Sequence, residues 1–201
     1  RLDSGEECDQ GDTASGDGCS DQCEIEVGWS CTGLGCQCRD YYHGAACETC
    51  IVHVDRDATG APDGLTWATA FHRLQDAVDL ATSLGPRCEV WVAEGTYPIW
   101  EFGPLNTLEL QDGVEILGGF AGTETQRADR DPQAHPTILS GASPNDPEQR
   151  VFHVITAVGT QDATLDGLII QEGNADPPPL DPNNPASTPD PTLAPQGGGL
   201  Y

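Results

Sequence analysis

The sequence contains no lysine and no methionine, and its only strongly basic residues are eight arginines among 201 residues. Asp and Glu total 33, so the formal net charge is −25 at pH 7. Nucleic acids and anionic membrane surfaces bind clustered cations, and the shortage of such residues argues against both as partners. The absence of lysine also excludes Schiff-base and lysine-base chemistry.

Long apolar runs are missing as well. No segment approaches the roughly 18–20 apolar residues that cross a bilayer, so the sequence predicts no transmembrane segment. A hydrophobic content of 37% is nevertheless too high for a wholly disordered chain. Position 1 is Arg and no signal-peptide pattern is present, so we expect the sequence to be a piece of a longer exported protein.

The cysteines are concentrated near the N-terminus, where eight of the nine lie within the first 50 residues. This density, in a segment too short for its own core, predicts disulfides formed outside a reducing cytosol. A zinc cluster is the alternative, although only one pair has the Cys-x-x-Cys spacing of a zinc knuckle. The predicted disulfide cysteines are Cys8, Cys19, Cys23, Cys31, Cys36, Cys38, Cys47 and Cys50. The odd total, which includes Cys88, implies at least one thiol that is free or has lost its partner.

Hydrophobic periodicity divides the rest of the chain into one helix and a series of strands. Between Trp67 and Leu84 apolar residues recur every three or four positions, which predicts an amphipathic helix that ends at Gly85. Its apolar stripe comprises Trp67, Phe71, Leu74, Val78 and Ala81. Short β-type runs bounded by Gly, Pro, Asn or Asp are predicted at 51–54, 89–93, 107–110, 114–117, 137–140, 151–156 and 164–171.

The connections between these runs leave two arrangements open. Asp112 and Gly113 separate two runs and are placed to close an antiparallel hairpin. Asp166 and Gly167 fall inside a run, where a strand that bends around a corner would place them. The irregular spacing fits a stack of β coils better, and periodicity alone leaves a β-sandwich as the alternative.

The first 50 residues carry motifs of two cysteine-rich modules. The segment GEECDQGDTASGDGCSDQC at 5–23, followed by EVGWSC at 26–31, resembles a cysteine-rich repeat common in myxobacterial secreted proteins. That repeat usually carries a further Cys upstream, whose absence here would explain the odd count. The segment CQCRDYYHGAAC at 36–47 resembles the closing half of an EGF-like module, and the trailing Cys50 is similar to the laminin type. The EGF resemblance implies a disulfide between Cys38 and Cys47.

From about residue 51 the chain resembles the opening of a right-handed parallel β-helix. The motifs that carry this resemblance include DGLTWATAF at 63–71, EVWVAEGTY at 89–97, ILGGFAGTE at 116–124, TILSG at 137–141 and GGGLY at 197–201. Relatives of polymorphic outer-membrane proteins and pectate-lyase-like proteins open in this way. The resemblance implies a mainly β fold, in which an amphipathic helix caps the N-terminal end of the β-helix and a small disulfide-rich module precedes it. The implied domains are a cysteine-rich repeat at 1–35, an EGF-like half-module at 36–50, and a β-helix part at 51–201 with a Pro-rich insertion at 176–196.

Two acidic loops are candidates for calcium, the one cofactor that the sequence suggests. Carboxylates on Gly-rich turns suit this ion, which takes about six to eight oxygen ligands in flexible geometry. The first loop holds Asp9, Asp12, Asp17 and Asp21, and the second holds Asp55, Asp57 and Asp63. In the second loop Thr66 occupies the position where an EF-hand-like site needs a bidentate Glu. The alternative in both places is a solvated acidic loop.

No residue is assigned a catalytic role from the sequence. The compact mixed-charge cluster at 127–131 is interpreted as a loop with local salt bridges, not as a base beside a metal. The sequence contains no Gly-x-Ser-x-Gly, His-Glu-x-x-His or phosphate-binding loop motif. Sugar stacking is one interpretation of the aromatic residues, but they are expected to fill the cap and the first coils, with Trp100 and Phe102 the pair expected to be exposed. The residues are Trp67, Trp91, Tyr97, Trp100, Phe102 and Phe120.

These features favour a secreted or cell-surface protein, associated with a bacterial outer membrane, that acts in structure or adhesion and is not catalytic in this piece. Its expected partners are extracellular glycans or cell-surface proteins. The alternative is the N-terminal part of a pectate-lyase-like polysaccharide lyase or glycoside hydrolase whose catalytic residues lie beyond residue 201. One β-helix scaffold carries both enzymes and adhesins, so the fold does not separate them.

Overall fold

The computed structural model describes residues 8, 17–20, 24–32, 35–85, 88–146 and 148–175. In these ranges the protein is mainly β, with one α-helix, α1 (Leu74–Leu84). The strands are β1 (Trp29–Thr32), β2 (Gly35–Cys38), β3 (Tyr42–His43), β4 (Thr49–Val54), β5 (Cys88–Ala93), β6 (Gly95–Pro98), β7 (Leu108–Glu109), β8 (Glu115–Phe120), β9 (Thr137–Ser140), β10 (Ile155–Thr156), β11 (Thr164–Asp166) and β12 (Leu168–Gln171). Short 3-10 helices span Trp67–Thr69 and Arg127–Asp129.

Strands β4 to β12 are arranged in three parallel sheets. The first sheet has the order β11-β8-β5-β4 with β3 antiparallel at its edge, the second has the order β12-β9-β6, and the third pairs β10 with β7. From β5 onward the chain visits the first, second and third sheets in the same repeated order. In the first sheet the register aligns Ile51, Glu89, Glu115 and Thr164.

The strand pairing shows what happens at the two Asp-Gly pairs, where the sequence predicts a hairpin and a corner. Gly113 lies in a turn with φ of +70°, but β7 and β8 join different sheets, so the predicted hairpin at Asp112 is wrong. The predicted corner at Asp166 is confirmed, because Gly167 separates β11 from β12 with φ of +71°, a conformation that glycine adopts without strain.

The main core lies between the first sheet and α1 and also includes buried residues of β6, β7, β9 and β10. Val52, Val90 and Ile116 occupy one register position of the sheet and are fully buried. Helix α1 packs its apolar face, which includes Ala77 and Val78, against β4 and β5. Burial of each valine or isoleucine side chain stabilises the fold by about 1.5–3 kcal/mol relative to leaving it exposed. The helix is therefore an integral part of the stack of strands.

The helix is shorter than the sequence predicts. Helix α1 begins at Leu74, whereas the predicted apolar stripe begins at Trp67. Phe71 instead donates its backbone N–H to His53 and accepts a hydrogen bond from Asp55, both at 2.9 Å. These bonds satisfy backbone groups at the end of β4 that would otherwise lose their partners, so Phe71 extends the first sheet and does not continue the helix.

The structure contains four disulfides among the described residues. They are Cys8–Cys19, Cys31–Cys36, Cys38–Cys47 and Cys50–Cys88. The third is the pair that the EGF resemblance implies, and the fourth gives Cys88 a partner that the sequence does not indicate. Cys23 lies outside the described residues. Disulfides in this number indicate an oxidising, extracellular environment.

In the described part of the first 50 residues, two antiparallel strand pairs form, β1 with β2 and β3 with β4. Strands β1 and β2 pair antiparallel, with Cys31 opposite Cys36. The indole N–H of Trp29 donates to the Ala46 carbonyl at 3.1 Å and so connects the two cysteine-rich segments. Within the described ranges no helix combines the length and the hydrophobicity needed to cross a bilayer.

Candidate functional site

Several aromatic side chains pack together on the face of the first sheet opposite to α1. The ring of Trp91 stacks on Phe120 with 4.6 Å between centroids, and Trp67 lies 5.5 Å from Phe120. His53 contacts Trp67 edge-on at 4.6 Å. Trp91 and Phe120 are buried. Trp91 and Phe120 therefore pack against the sheet and are not presented to a ligand, whereas Trp67 is partly exposed.

His53 is the buried titratable side chain of this aromatic cluster. Its Nδ1 lies 3.1 Å from the Gly64 carbonyl oxygen, which can only accept, so the neutral ring carries its proton on Nδ1. Burial lowers the pKa of His53 below its ordinary value, and the hydrogen bond to Gly64 offsets this in part. The folded protein therefore favours the neutral imidazole.

The lowered pKa of His53 predicts a loss of stability in acid. Unfolded chains take up the proton below about pH 6.5, whereas folded chains resist it until a lower pH, so stability falls in between by at most about 1.4 kcal/mol per pH unit. His53→Asn keeps a donor near Nδ1 but does not titrate. In urea unfolding from pH 8 to pH 5, the difference in the free energy of unfolding between the wild type and this variant should shrink below about pH 6.5. The exposed His72→Asn is the control, and an equal pH slope in H53N and the wild type would contradict the prediction.

The mixed-charge segment at 127–131 is tied to the first sheet. Arg127 donates to Glu89 and Glu115, both at 2.9 Å, and Arg130 pairs with Asp166. Glu89 and Glu115 are adjacent in the register, where two like charges are unfavourable without a cation between them. The predicted salt bridges are present, but they are not local, because the partners of Arg127 lie in strands 12 and 38 residues away. Both arginines connect the loop to strands and neither is a free base.

The structure does not bring the second set of calcium candidates together. Among the described residues no group of three or more His, Cys, Asp or Glu side chains is placed to hold a metal ion. Asp55 accepts a hydrogen bond from the Asp57 backbone N–H at 2.9 Å, so it shapes its own turn. Hydrogen bonds from the Thr69 hydroxyl and a backbone N–H lower the pKa of Asp63.

The first set of calcium candidates is described only in part. Asp17 accepts a hydrogen bond from the Cys19 backbone N–H at 3.4 Å. Asp9, Asp12 and Asp21 lie outside the described residues. The described member of this set thus shapes the turn at the Cys8–Cys19 disulfide.

A groove between the start of α1 and the segment that follows β6 combines aromatic, charged and polar side chains. We call it the α1 groove, and its volume is about 190 Å³. It is lined by His72, Arg73, Leu74, Gln75, Tyr97, Pro98, Ile99, Trp100, Glu101, Thr107 and Leu108. Its apolar members Leu74, Tyr97, Ile99 and Leu108 are buried and belong to the main core. The groove is therefore a polar opening above a fixed apolar floor.

Trp100 differs from the other three tryptophans in its hydrogen bonding. Trp29, Trp67 and Trp91 each donate the indole N–H to a carbonyl or carboxylate oxygen, at 2.6–3.1 Å. The indole N–H of Trp100 has no acceptor within the described part of the chain. Since no buried side-chain nitrogen of these residues lacks a partner, this N–H is accessible to solvent. The ring itself is partly buried against the core. Trp100 therefore lines the groove as an aromatic surface with a free donor.

The charged residues of the α1 groove are already paired with one another. Arg73 donates from Nε to Oε1 of Glu101 at 2.9 Å and from Nη1 to Asp76 at 3.4 Å. The hydrogen bond to Glu101 raises the pKa of Arg73. Within the described ranges, Oε2 of Glu101 accepts no hydrogen bond. Within the part of the chain that the structure describes, the groove therefore offers an unused acceptor and an unused donor, and its arginine is already paired with carboxylates.

The 101–106 loop beside the groove has a fixed shape although it is exposed. The side-chain oxygen of Asn106 accepts hydrogen bonds from the backbone N–H groups of Glu101, Phe102 and Gly103, at 2.9, 2.7 and 3.0 Å. Phe102 is 90% exposed and Leu105 is 66% exposed. The sequence predicts exposure of Phe102 correctly, whereas Trp100 is only partly exposed. A single amide side chain thus holds two apolar residues in solvent.

Removal of the Asn106 amide is expected to loosen this loop. Asn106→Ala removes three hydrogen bonds, but water replaces part of them at the surface, so we expect a loss of about 1–2 kcal/mol. The measurement is urea unfolding, together with amide hydrogen exchange of the Phe102 and Gly103 N–H groups. Asn145→Ala, a matched change at another exposed asparagine, should alter neither. Unchanged exchange in N106A would show that Asn106 does not hold the loop.

Comparisons with known proteins give no assignment. No protein family matches the chain, and no curated protein or solved structure shows significant similarity to it. The resemblances to a cysteine-rich repeat, an EGF-like half-module and a β-helix therefore stay predictions. The sequence does not reveal the α1 groove, because residues 72–75 and 97–108 meet only after the first sheet has formed. The one signal it contains is the isolated Trp100.

Proposed function

We propose that the protein is an extracellular adhesive scaffold that binds through surface loops and performs no catalysis in this region. The observation that carries the proposal is the 101–106 loop, in which one side chain fixes a backbone that exposes Phe102 and Leu105. Loops that a rigid scaffold holds in place commonly carry binding residues. The four disulfides support a location outside the cell. Attachment to a bacterial cell surface is part of this proposal.

We also propose that the strands form a right-handed parallel β-helix with α1 as its N-terminal cap. Support comes from the parallel pairing and from the repeated order in which the chain visits the three sheets. Parallel strands of one sheet joined by a crossover are right-handed in about 98% of cases, which favours this hand. An independent crystal structure would test both statements, and a left-handed or discontinuous coil would overturn them.

Adhesion can be tested with beads that carry the purified chain. We expect such beads to be retained under flow on films of extracellular polysaccharide or of cell-surface protein, and albumin-coated beads to wash off. A parallel assay follows the release of reducing ends and of unsaturated uronides from the same polysaccharides. Failure of retention on every film would overturn the adhesive function. Release of product would favour the lyase or hydrolase alternative.

A further inference from the structure

The α1 groove offers the contacts that a sugar ring needs. A pyranose has an apolar C–H face and polar hydroxyl groups, and protein sites for such ligands combine an aromatic surface with a few placed donors and acceptors. Trp100 supplies the partly exposed ring and a free indole N–H. Glu101 supplies a carboxylate oxygen, Oε2, without a donor in the described part of the chain. Both groups lie on consecutive residues and line the same opening.

The size of the groove sets the size of the ligand. Its volume of about 190 Å³ lies below the range of about 300–1,000 Å³ that is usual for drug-sized ligands. One ring fits, and the rest of a longer molecule would lie across the surface. The exposed Phe102 follows Trp100 and Glu101 in the chain and is held in place by Asn106. It offers a second apolar contact next to the groove.

The charge of the groove selects against anionic sugars. Arg73 and His72 are the basic side chains that line it, and Arg73 is already paired with Glu101 and Asp76. The chain as a whole carries a formal charge of −25, and unpaired negative charges on a ligand are repelled over about 8–10 Å at moderate salt. A uronate carboxylate would have to compete with Glu101 and Asp76 for Arg73. A neutral sugar avoids this repulsion and uses the free donor and the free acceptor.

We propose that the α1 groove binds one sugar unit of a neutral glycan, with Trp100 as the stacking surface and Glu101 as the hydrogen-bond acceptor. The inference rests on the adhesive function proposed above and names its ligand class. Arg73 acts as a positioning residue, because it holds the Glu101 carboxylate through Oε1 and leaves Oε2 to the ligand. The paired charges that position this acceptor are the same ones that exclude polyuronates.

Isothermal titration of the full chain tests the proposal directly. The probes are cello-, xylo-, malto- and chito-oligosaccharides, with polygalacturonate as the anionic comparison. We expect binding of at least one neutral series and none of polygalacturonate. Trp100→Ala should weaken binding by about tenfold or more, since stacking is lost with the donor. Glu101→Gln should weaken it about fivefold, because a charge-assisted hydrogen bond becomes a neutral one.

Two further variants keep the test valid if Trp100→Ala is unstable. Trp100→Phe preserves most of the packing and removes the donor, so it should weaken binding about threefold while melting near the wild-type temperature. Val158→Ala, at an exposed residue outside the groove, should bind as the wild type does. Wild-type affinity in W100A and W100F together would overturn the site, and preferred binding of polygalacturonate would overturn the ligand class. Beads retained on protein films by a chain that binds no neutral glycan would overturn this inference and leave the adhesive function standing.

Discussion

Simultaneous replacement of Cys50 and Cys88 by alanine is expected to lower the free energy of unfolding by about 4 kcal/mol. The disulfide closes a segment of 38 residues that contains α1, and the chain-entropy relation for a loop of this length predicts a loss of about this size. Both cysteines are buried in neighbouring parallel strands, where their alanine replacements leave no unsatisfied polar group. The disulfide therefore contributes mainly by restricting the unfolded chain.

The matched control is the pair Cys31→Ala and Cys36→Ala. This disulfide spans only 5 residues, and the same relation predicts a loss of about 2 kcal/mol. Guanidinium unfolding followed by tryptophan fluorescence measures both variants, after mass spectrometry has verified the three disulfides expected to persist among the described residues. The larger effect should belong to the longer loop. Equal losses in the two variants would show that loop length does not determine the contribution of the Cys50–Cys88 disulfide.

The partner of Cys88 illustrates a limit of sequence analysis. The spacing of the first eight cysteines predicts disulfides, and a family motif points to Cys38 and Cys47. No local pattern connects Cys50 to Cys88, because their proximity arises from the register between β4 and β5. That register depends on the whole segment that contains α1 and on the burial of one face of each strand.

Local sequence patterns are sufficient to predict strands whose boundaries depend on their own residues and flanking turns. The runs at 51–54, 89–93 and 137–140 correspond to β4, β5 and β9, since alternation and flanking turn residues define such strands. The strand Gly95–Pro98 is not predicted from the sequence, because it begins with glycine and ends with proline, which are typical of turns and not of strands. The run at 151–156 is reduced to Ile155–Thr156, since only these residues pair with β7. Pairing with a distant strand, not propensity, sets these boundaries.

The residues of the α1 groove could be named from the sequence only one at a time. Trp100 and Phe102 were expected to be exposed, and Arg73 and Glu101 carried no motif. Their proximity depends on the position of α1 against the first sheet and on the turn after β6. Arg73 and Glu101 are 28 positions apart in the sequence, so their contact is visible only in the folded chain.

The close approach of successive strands predicts a large cost for a single methyl group at Gly118. A Cβ at this position would lie 2.5 Å from the Gly167 carbonyl oxygen and 2.8 Å from Cβ of Thr137, closer than such atoms can approach. The nearest atom belongs to the backbone at the corner between β11 and β12 and cannot rotate away. We expect Gly118→Ala to lower the free energy of unfolding by about 3 kcal/mol, the upper part of the range for overpacked cores.

Gly103→Ala is the matched control for this prediction. A Cβ at Gly103 meets no atom within 4 Å, so the substitution adds no clash. It restricts the unfolded chain and is expected to be neutral or to stabilise by up to about 1 kcal/mol. Urea unfolding of the two variants under the same conditions isolates the effect of the neighbouring strand. If G118A were as stable as G103A, residues 118 and 167 would not be in contact, and the parallel stacking of β8 and β11 would be wrong at this point.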